Sequence, residues 1–378
     1  MLKREQEYLR ILLDFFLMKS IMKQAVLKSM LSAILFLSLV AGKSEACSRV
    51  VYTADSLVIT GRTMDWPGNM QTNIYVYPRG LKQVGMPSGS TISWTSKYGS
   101  VVASQFDAVT SDGINEKGLV ANTLWLPKSG FVRENDQRPV LSILMWAQYV
   151  LDNFATVSEA VETLRKEEFR IDAPTLAGTE ITMHMSLSDP TGNNAILEYI
   201  GGNLKIYEGK RYKVMTNEPS YDKQLAITDY WMEEDILSAL PGRVHPADRF
   251  VRLSFFLREM KKTTDAGEAA VQVLSMIRNI STPYGLLKPG HKMINSRTLW
   301  RTMADQTNLL YYYEDATRIG GTLFLDLKQI DFKVGSPVLK LDITNNNYCG
   351  NANKELKPVA FMNVFAKVKM LLESGVTL

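Results

Sequence analysis

Residues 43–66, KSEACSRVVYTADSLVITGRTMDW, place one of only two cysteines in the 378-residue chain just after the small-residue run Ser44-Glu45-Ala46. Two strand-like runs follow, SRVVY and LVITG, on either side of the polar segment at residues 53–56, which suits a hairpin loop. With a four-residue loop, Tyr52 pairs with Leu57 and Cys47 falls opposite Arg62. Such a hairpin would deliver a guanidinium to the thiol.

The segment before the cysteine explains its place. Residues 22–46 read as a basic start, an apolar run over residues 31–40 and a short polar end, the pattern of a secretory signal peptide. Ser44 and Ala46 supply the small residues that signal peptidase favours, so cleavage after Ala46 is expected, and Cys47 becomes residue one. The residues ahead of Met22 form an odd preface, which points to a start at Met18 or Met22. The apolar run is short for a membrane span, and no second run of about 20 apolar residues follows it. The expected product is an exported, periplasmic protein with residues 1–46 removed and residues 47–378 forming one domain.

Composition narrows the class further. Apolar residues at 46% and charged residues at 22% are ordinary for a folded globular protein. The formal net charge of +4 includes basic residues of the leader, so no nucleic-acid footprint is implied. Two cysteines, Cys47 and Cys349, make no disulfide framework. Three scattered histidines, His184, His245 and His291, lack metal-ligand spacing, so no metal is expected. A buried small residue is the default reading of Cys349.

Further along, strands are expected at residues 74–77, in RYKVMTN, in NLLYYYEDA, in GGTLFLDL and in AILEYIGGNLKIY, the last turning at Gly201-Gly202. Helical period marks TVSEAVETLRKEEF, opened by a Thr156/Glu159 capping box, as well as PADRFVRLSFFLREM and AGEAAVQVLSMIRNI. Meandering strands with helices grouped between them favour an α+β layered domain over regular βαβ alternation.

A cysteine at position one carries its own general base. Its α-amine, with an ordinary pKa near about 8, can take the thiol proton without a histidine. A nearby cation such as Arg62 favours the thiolate. A carboxylate such as Asp65 can orient the amine. Each feature has a plainer alternative: a passive core cysteine, a surface Arg–Asp pair, or the lipid-modified cysteine of a lipoprotein, although Ser44 and Glu45 fit a lipoprotein signal poorly. The residues alone point to an N-terminal cysteine amidase without naming its substrate.

Taken in order, CSRVVY, GRTMDW, SDGINEKGLVANTLWLP, VMTNEPSYD and HPADRFVRLSFF resemble the choloylglycine hydrolase family, which includes bile salt hydrolases and penicillin V acylases. The resemblance implies an N-terminal nucleophile hydrolase with a four-layer αββα sandwich and no cofactor. It implies Cys47 as nucleophile, Arg62 beside the thiolate, Asp65 holding the amine, Asn217 donating to the oxyanion and Arg249 supporting the charge network. Where many family members carry an oxyanion-hole asparagine, this chain has Trp125, whose indole N–H offers one donor. Trp125 and Trp66 are candidate walls of an acyl pocket and suggest the Gram-negative branch, and the loop at residues 70–75 is a further candidate. The implied partner is a small amide substrate, and the implied assembly is a homotetramer. Conjugated bile acids are the favoured substrate; penicillin V and acyl-homoserine lactones are the alternatives, followed by an exported protein that has lost activity.

Overall fold

The computed structural model describes residues 47–131, 135–176, 179–233, 240–286 and 296–373. The leader expected over residues 1–46, and His291, lie outside them.

The chain opens with β1 (Ser48–Ala54) and β2 (Leu57–Trp66), paired antiparallel as expected. The turn is shorter than the sequence suggested. Thr53 and Ala54 stay in β1, and Asp55 takes a left-handed φ of 48°, a conformation aspartate tolerates, so Asp55 and Ser56 alone close the hairpin. The register therefore moves: Ala54 pairs with Leu57 and Arg49, not Cys47, lies opposite Arg62. The move is two residues, so every side chain keeps the face it was expected to occupy.

β1 and β2 lie in a seven-stranded sheet between the strand Val214–Thr216 on one side and the strand Arg297–Asp305 on the other. A second sheet of nine strands contains Ser100–Gln105, Val109–Asn115, Val120–Trp125, Met183–Ser188 and Asn194–Ile200. The two sheets pack face to face. On the outer face of the first sheet lie the helices Pro246–Glu259 and Ala266–Asn279; on the second lie Trp146–Asn153 and Val157–Leu164. This is the αββα sandwich.

Local chemistry explains these elements. Thr156 caps its helix by accepting from the N–H of Glu159, and Asp265 does the same for Glu268. His245 caps Pro246–Glu259, with proline at its first position. Alternate residues of β2 face opposite ways. Thr60, Arg62 and Met64 point between the sheets, while Gly61, Thr63 and Asp65 point to the helices. Gly61 must be glycine because a Cβ there would sit 2.5 Å from Cγ1 of Val273, so closely does the helix Ala266–Asn279 lie on β2.

Two apolar clusters fill the layers. One joins the inter-sheet space to the first helical layer and includes Cys47, Met64, Ile114, Leu124, Val273 and Ile277. The other lies between the second sheet and its outer helices, with Val102, Leu119, Trp146, Val150 and Leu187. Cys349 is not in either: it is exposed, two residues beyond the polar run Thr344-Asn345-Asn346-Asn347. Among the described residues no helix is long and apolar enough to cross a membrane.

Candidate active site

Cys47 lies one residue before β1. Carried one step further, the ladders that pair Ser48 with Thr63 and with Thr216 set Cys47 between Met64 and Asn217. All three side chains then share the inter-sheet face. Cys47 is 3% exposed. Its sulfur receives the backbone N–H of Asp65 at 3.3 Å and lies 3.7 Å from both the Asp65 carbonyl and the Met64 sulfur.

Arg62 points the same way and is held from the opposite sheet. Its Nη1 donates to the Ser111 carbonyl at 2.9 Å and its Nη2 to the Thr123 carbonyl at 2.7 Å. Asp112 lies 3.7 Å away, the guanidinium lies 5.0 Å from the Trp300 ring centroid, and Nη2 reaches the Met64 sulfur at 3.9 Å. Met64 thus stands between cation and thiol, in the place the sequence reading gave to Arg62. Burial raises the Asp112 carboxyl above the usual range against the pull of Arg62, and Tyr311 and Asn122 both donate to it.

The helix-facing side of the hairpin is polar and closely bonded. Asp65 is wholly buried; its Oδ2 accepts from Arg249 Nη1 at 3.2 Å, and its Oδ1 accepts from the Thr298 hydroxyl. Thr63 donates to Oδ2 at 3.4 Å. Arg249, equally buried, also donates from Nη1 to the Ser48 hydroxyl at 2.6 Å and from Nε to the Val244 carbonyl at 3.0 Å. Burial raises the Asp65 carboxyl to about 6, against the opposing pull of Arg249 and of Thr298. Burial likewise lowers the Arg249 guanidinium to about 10, so it remains charged at neutral pH.

Asn217 directs its Nδ2 to the backbone carbonyl of Trp125 at 2.8 Å, which occupies one of two N–H bonds. Its Oδ1 is buried without a hydrogen-bond partner. The Trp125 ring packs edge-to-face on Trp66, with centroids 5.8 Å apart at 62°. The Trp125 indole is therefore a wall, while its backbone carbonyl fixes Asn217.

These walls bound a cavity, open to solvent at one side, that reaches Cys47 and Arg62. It lies where β2, the strand Val120–Trp125 and the hairpin tip at residues 105–109 end together. Met64, Trp66, Phe106, Trp125, Ile181 and Met183 line most of it, with Gln105, Ser111 and Thr123 as polar exceptions. Of the loop at residues 70–75 only Met70 lines it. Tyr75 belongs to the strand Asn73–Tyr77 and packs in the outer-layer cluster. Among the described residues, no cluster of three or more His, Cys, Asp or Glu side chains is placed to hold a metal.

All five catalytic candidates read from the sequence thus gather around the start of β1 and the end of β2. Ser48, Thr298 and Met64 were missed. The alternation of β2 could have placed Met64 beside the thiol, but Ser48 and Thr298 join Asp65 and Arg249 through contacts that no local pattern encodes.

The αββα sandwich, with a buried cysteine just before its first strand and at the mouth of an apolar cavity, is the fold of the N-terminal nucleophile hydrolases. The sequence profile of the linear amide C–N hydrolases, choloylglycine hydrolase family, matches residues 47–331, and the chain belongs to that family. It is 40% identical to a penicillin V acylase of Pectobacterium atrosepticum, covering 88% of this chain and 96% of that protein. It is 25% identical to a bile salt hydrolase/transferase of Clostridium perfringens, covering 69% of this chain and 86% of that one. The solved penicillin V acylase of Agrobacterium tumefaciens superposes with a TM-score of 0.77 at 42% identity, covering 84% of this chain and all of that one.

Proposed function

We propose that this linear amide hydrolase is exported, that removal of residues 1–46 frees the α-amine of Cys47, and that this amine is the general base. In the intact chain the Cys47 nitrogen is an amide and cannot accept a proton. Once freed, it takes the thiol proton, and the sulfur attacks the substrate carbonyl. The C–N bond breaks as the ammonium returns the proton to the departing amine, which leaves a thioester that water then hydrolyses. The profile match that begins at Cys47 supports this reading.

The geometry supports the remaining roles we assign. The second N–H of Asn217 Nδ2 is available to the oxyanion, and its first, bonded to Trp125, holds the amide plane in place. Asp65 orients the amine, with Arg249 keeping the carboxylate ionised. Arg62, locked by two carbonyls of the facing sheet, supplies a positive field to the thiolate through a short apolar path.

The substrate we propose is an amide with a flat, apolar acyl group, such as the phenoxyacetyl amide of penicillin V. The edge-to-face Trp66–Trp125 wall beside Cys47 carries this assignment, because it offers an aromatic acyl group ring faces and edges to pack on. The 40% identity to a penicillin V acylase, against 25% to a bile salt hydrolase/transferase, adds to it. The bile-acid preference read from the sequence becomes the second reading. It keeps one observation: the Ser111 hydroxyl lines the cavity, buried and without a hydrogen-bond partner, and a steroid hydroxyl could satisfy it.

The test is hydrolysis of penicillin V beside glycocholate and taurocholate, using protein whose first residue is confirmed as Cys47. Turnover dominated by penicillin V is expected. Dominant bile-salt turnover would favour the second reading, and turnover of none would overturn both.

A further inference from the structure

The profile match ends at residue 331, yet the cavity does not close within the matched residues. Its lining includes Val368 and Leu371, both from the C-terminal helix Val364–Glu373. The cavity links two packing regions. Cys47, Met64 and Met70 belong to the inter-sheet cluster, whereas Ala108, Leu144 and Val368 belong to the cluster on the outer face of the second sheet. The helix therefore forms the wall remote from the nucleophile, where the far end of an acyl group would lie.

Specific contacts seat this helix. Asn363 caps it by accepting from the N–H of Ala366 at 2.9 Å. Phe361, just before it, meets Tyr77 edge-to-face with centroids 6.4 Å apart. Lys367 Nζ lies 4.2 Å from the Tyr75 ring centroid. Burial pulls this ammonium down to about 8, although Asp107 attracts it, which marks a side chain held in the fold. Val364 and Val368 are buried beneath the helix, and Met370 and Leu372 face outward.

We propose that Val368 and Leu371 are specificity-determining residues of the amide hydrolase, setting the far limit of the acyl pocket so that an aryloxyacetyl group fits and a steroid acyl group is excluded. The choice of those two acyl groups rests on the function proposed above; the assignment of the wall rests on the lining alone. Trimming both side chains extends the cavity into the outer layer, and enlarging one shortens it.

The experiment compares Val368→Ala/Leu371→Ala and Val368→Trp with the unaltered chain. Binding of phenoxyacetate and of cholate, the two acyl products, is read by titration calorimetry, and kcat and KM are measured for penicillin V and glycocholate. The double alanine variant is expected to shift the cholate-to-phenoxyacetate affinity ratio at least tenfold toward cholate. Val368→Trp is expected to weaken binding of both acids. A thermal melt of each variant confirms folding, and the tryptophan variant, which removes no packing atoms, keeps the test open if the double alanine variant unfolds. Unchanged affinity ratios in folded variants would overturn the proposal, as would an unaltered chain that binds neither acid. A shifted ratio in a protein that hydrolyses neither substrate upholds the wall and refutes the proposed function.

Discussion

The two faces of the β1–β2 hairpin differ in kind, one a charged hydrogen-bonded network and the other the edge of an apolar cavity. On the helix-facing side, Ser48, Thr63, Asp65, Thr298 and Arg249 are joined by hydrogen bonds, and the one carboxylate is paired with the one guanidinium. On the inter-sheet side the cysteine sulfur has weak neighbours, a backbone N–H and a thioether, and opens on an apolar cavity. The first face holds charge still, and the second sets the buried thiol at the edge of the cavity, where the proposed mechanism needs it. Adjacent residues of one strand, Met64 and Asp65, serve opposite faces, so two-residue periodicity alone separates positioning from chemistry.

Breaking the reactive face has the largest effect. Cys47→Ser should lose nearly all amide hydrolysis while its thermal melt stays near that of the unaltered protein; a turnover assay paired with the melt checks this. Asn217→Ala should follow, lowering kcat by about 10²–10³ with little change in KM, as for the loss of one oxyanion donor. Steady-state kinetics on penicillin V would show the split.

Breaking the positioning face should act on stability first. Arg249→Met leaves Asp65 buried without its cation, and loss of one partner of a buried pair costs about 3–5 kcal/mol. Denaturant unfolding checks this. Without the arginine, the carboxyl, already raised to about 6 by burial, rises further. If, as proposed, the carboxylate form orients the amine, the acid limb of the pH–rate profile should move to higher pH in this variant.

The same carboxyl makes a pH prediction for the uncleaved chain. Its folded pKa, about 6, lies above its ordinary 3.8, so its contribution to stability is fully present below 3.8 and is lost as pH rises through 6. Asp65→Asn should flatten that part of the stability profile, as chemical denaturation between pH 4 and pH 7 would show. The smallest effect is expected at the pocket wall. Trp125→Phe keeps an aromatic ring but alters its fit to Trp66, and an aromatic pair is worth about 0.5–1.5 kcal/mol, so KM should rise a few-fold with kcat preserved.

Much of this was legible from residues near one another in the chain. The hairpin, the Gly201-Gly202 turn, the cap at Thr156, and the five catalytic candidates all carry local signals or stand in recognisable order. The register was not legible, because it depended on whether Asp55 would take a left-handed φ and close the turn in two residues. Nor were the partners of Asp65, since alternation shows which face a side chain takes but not that Thr298 and Arg249 will meet it there. Cys349 was misjudged from residue type alone: its polar neighbours, not its thiol, decide its exposure. The C-terminal helix gave no functional signal, because Val368 and Leu371 look like any apolar pair at helical spacing.

The central claim is that one atom, the Cys47 nitrogen, changes from amide to amine and thereby becomes the base. The direct measurement compares penicillin V and glycocholate hydrolysis by two proteins, one beginning at Cys47 and one carrying an added methionine before it, each confirmed by intact mass. The account predicts activity only in the first, with activity appearing in the second once an aminopeptidase removes the methionine. Equal turnover by both, with the methionine still in place, would contradict it.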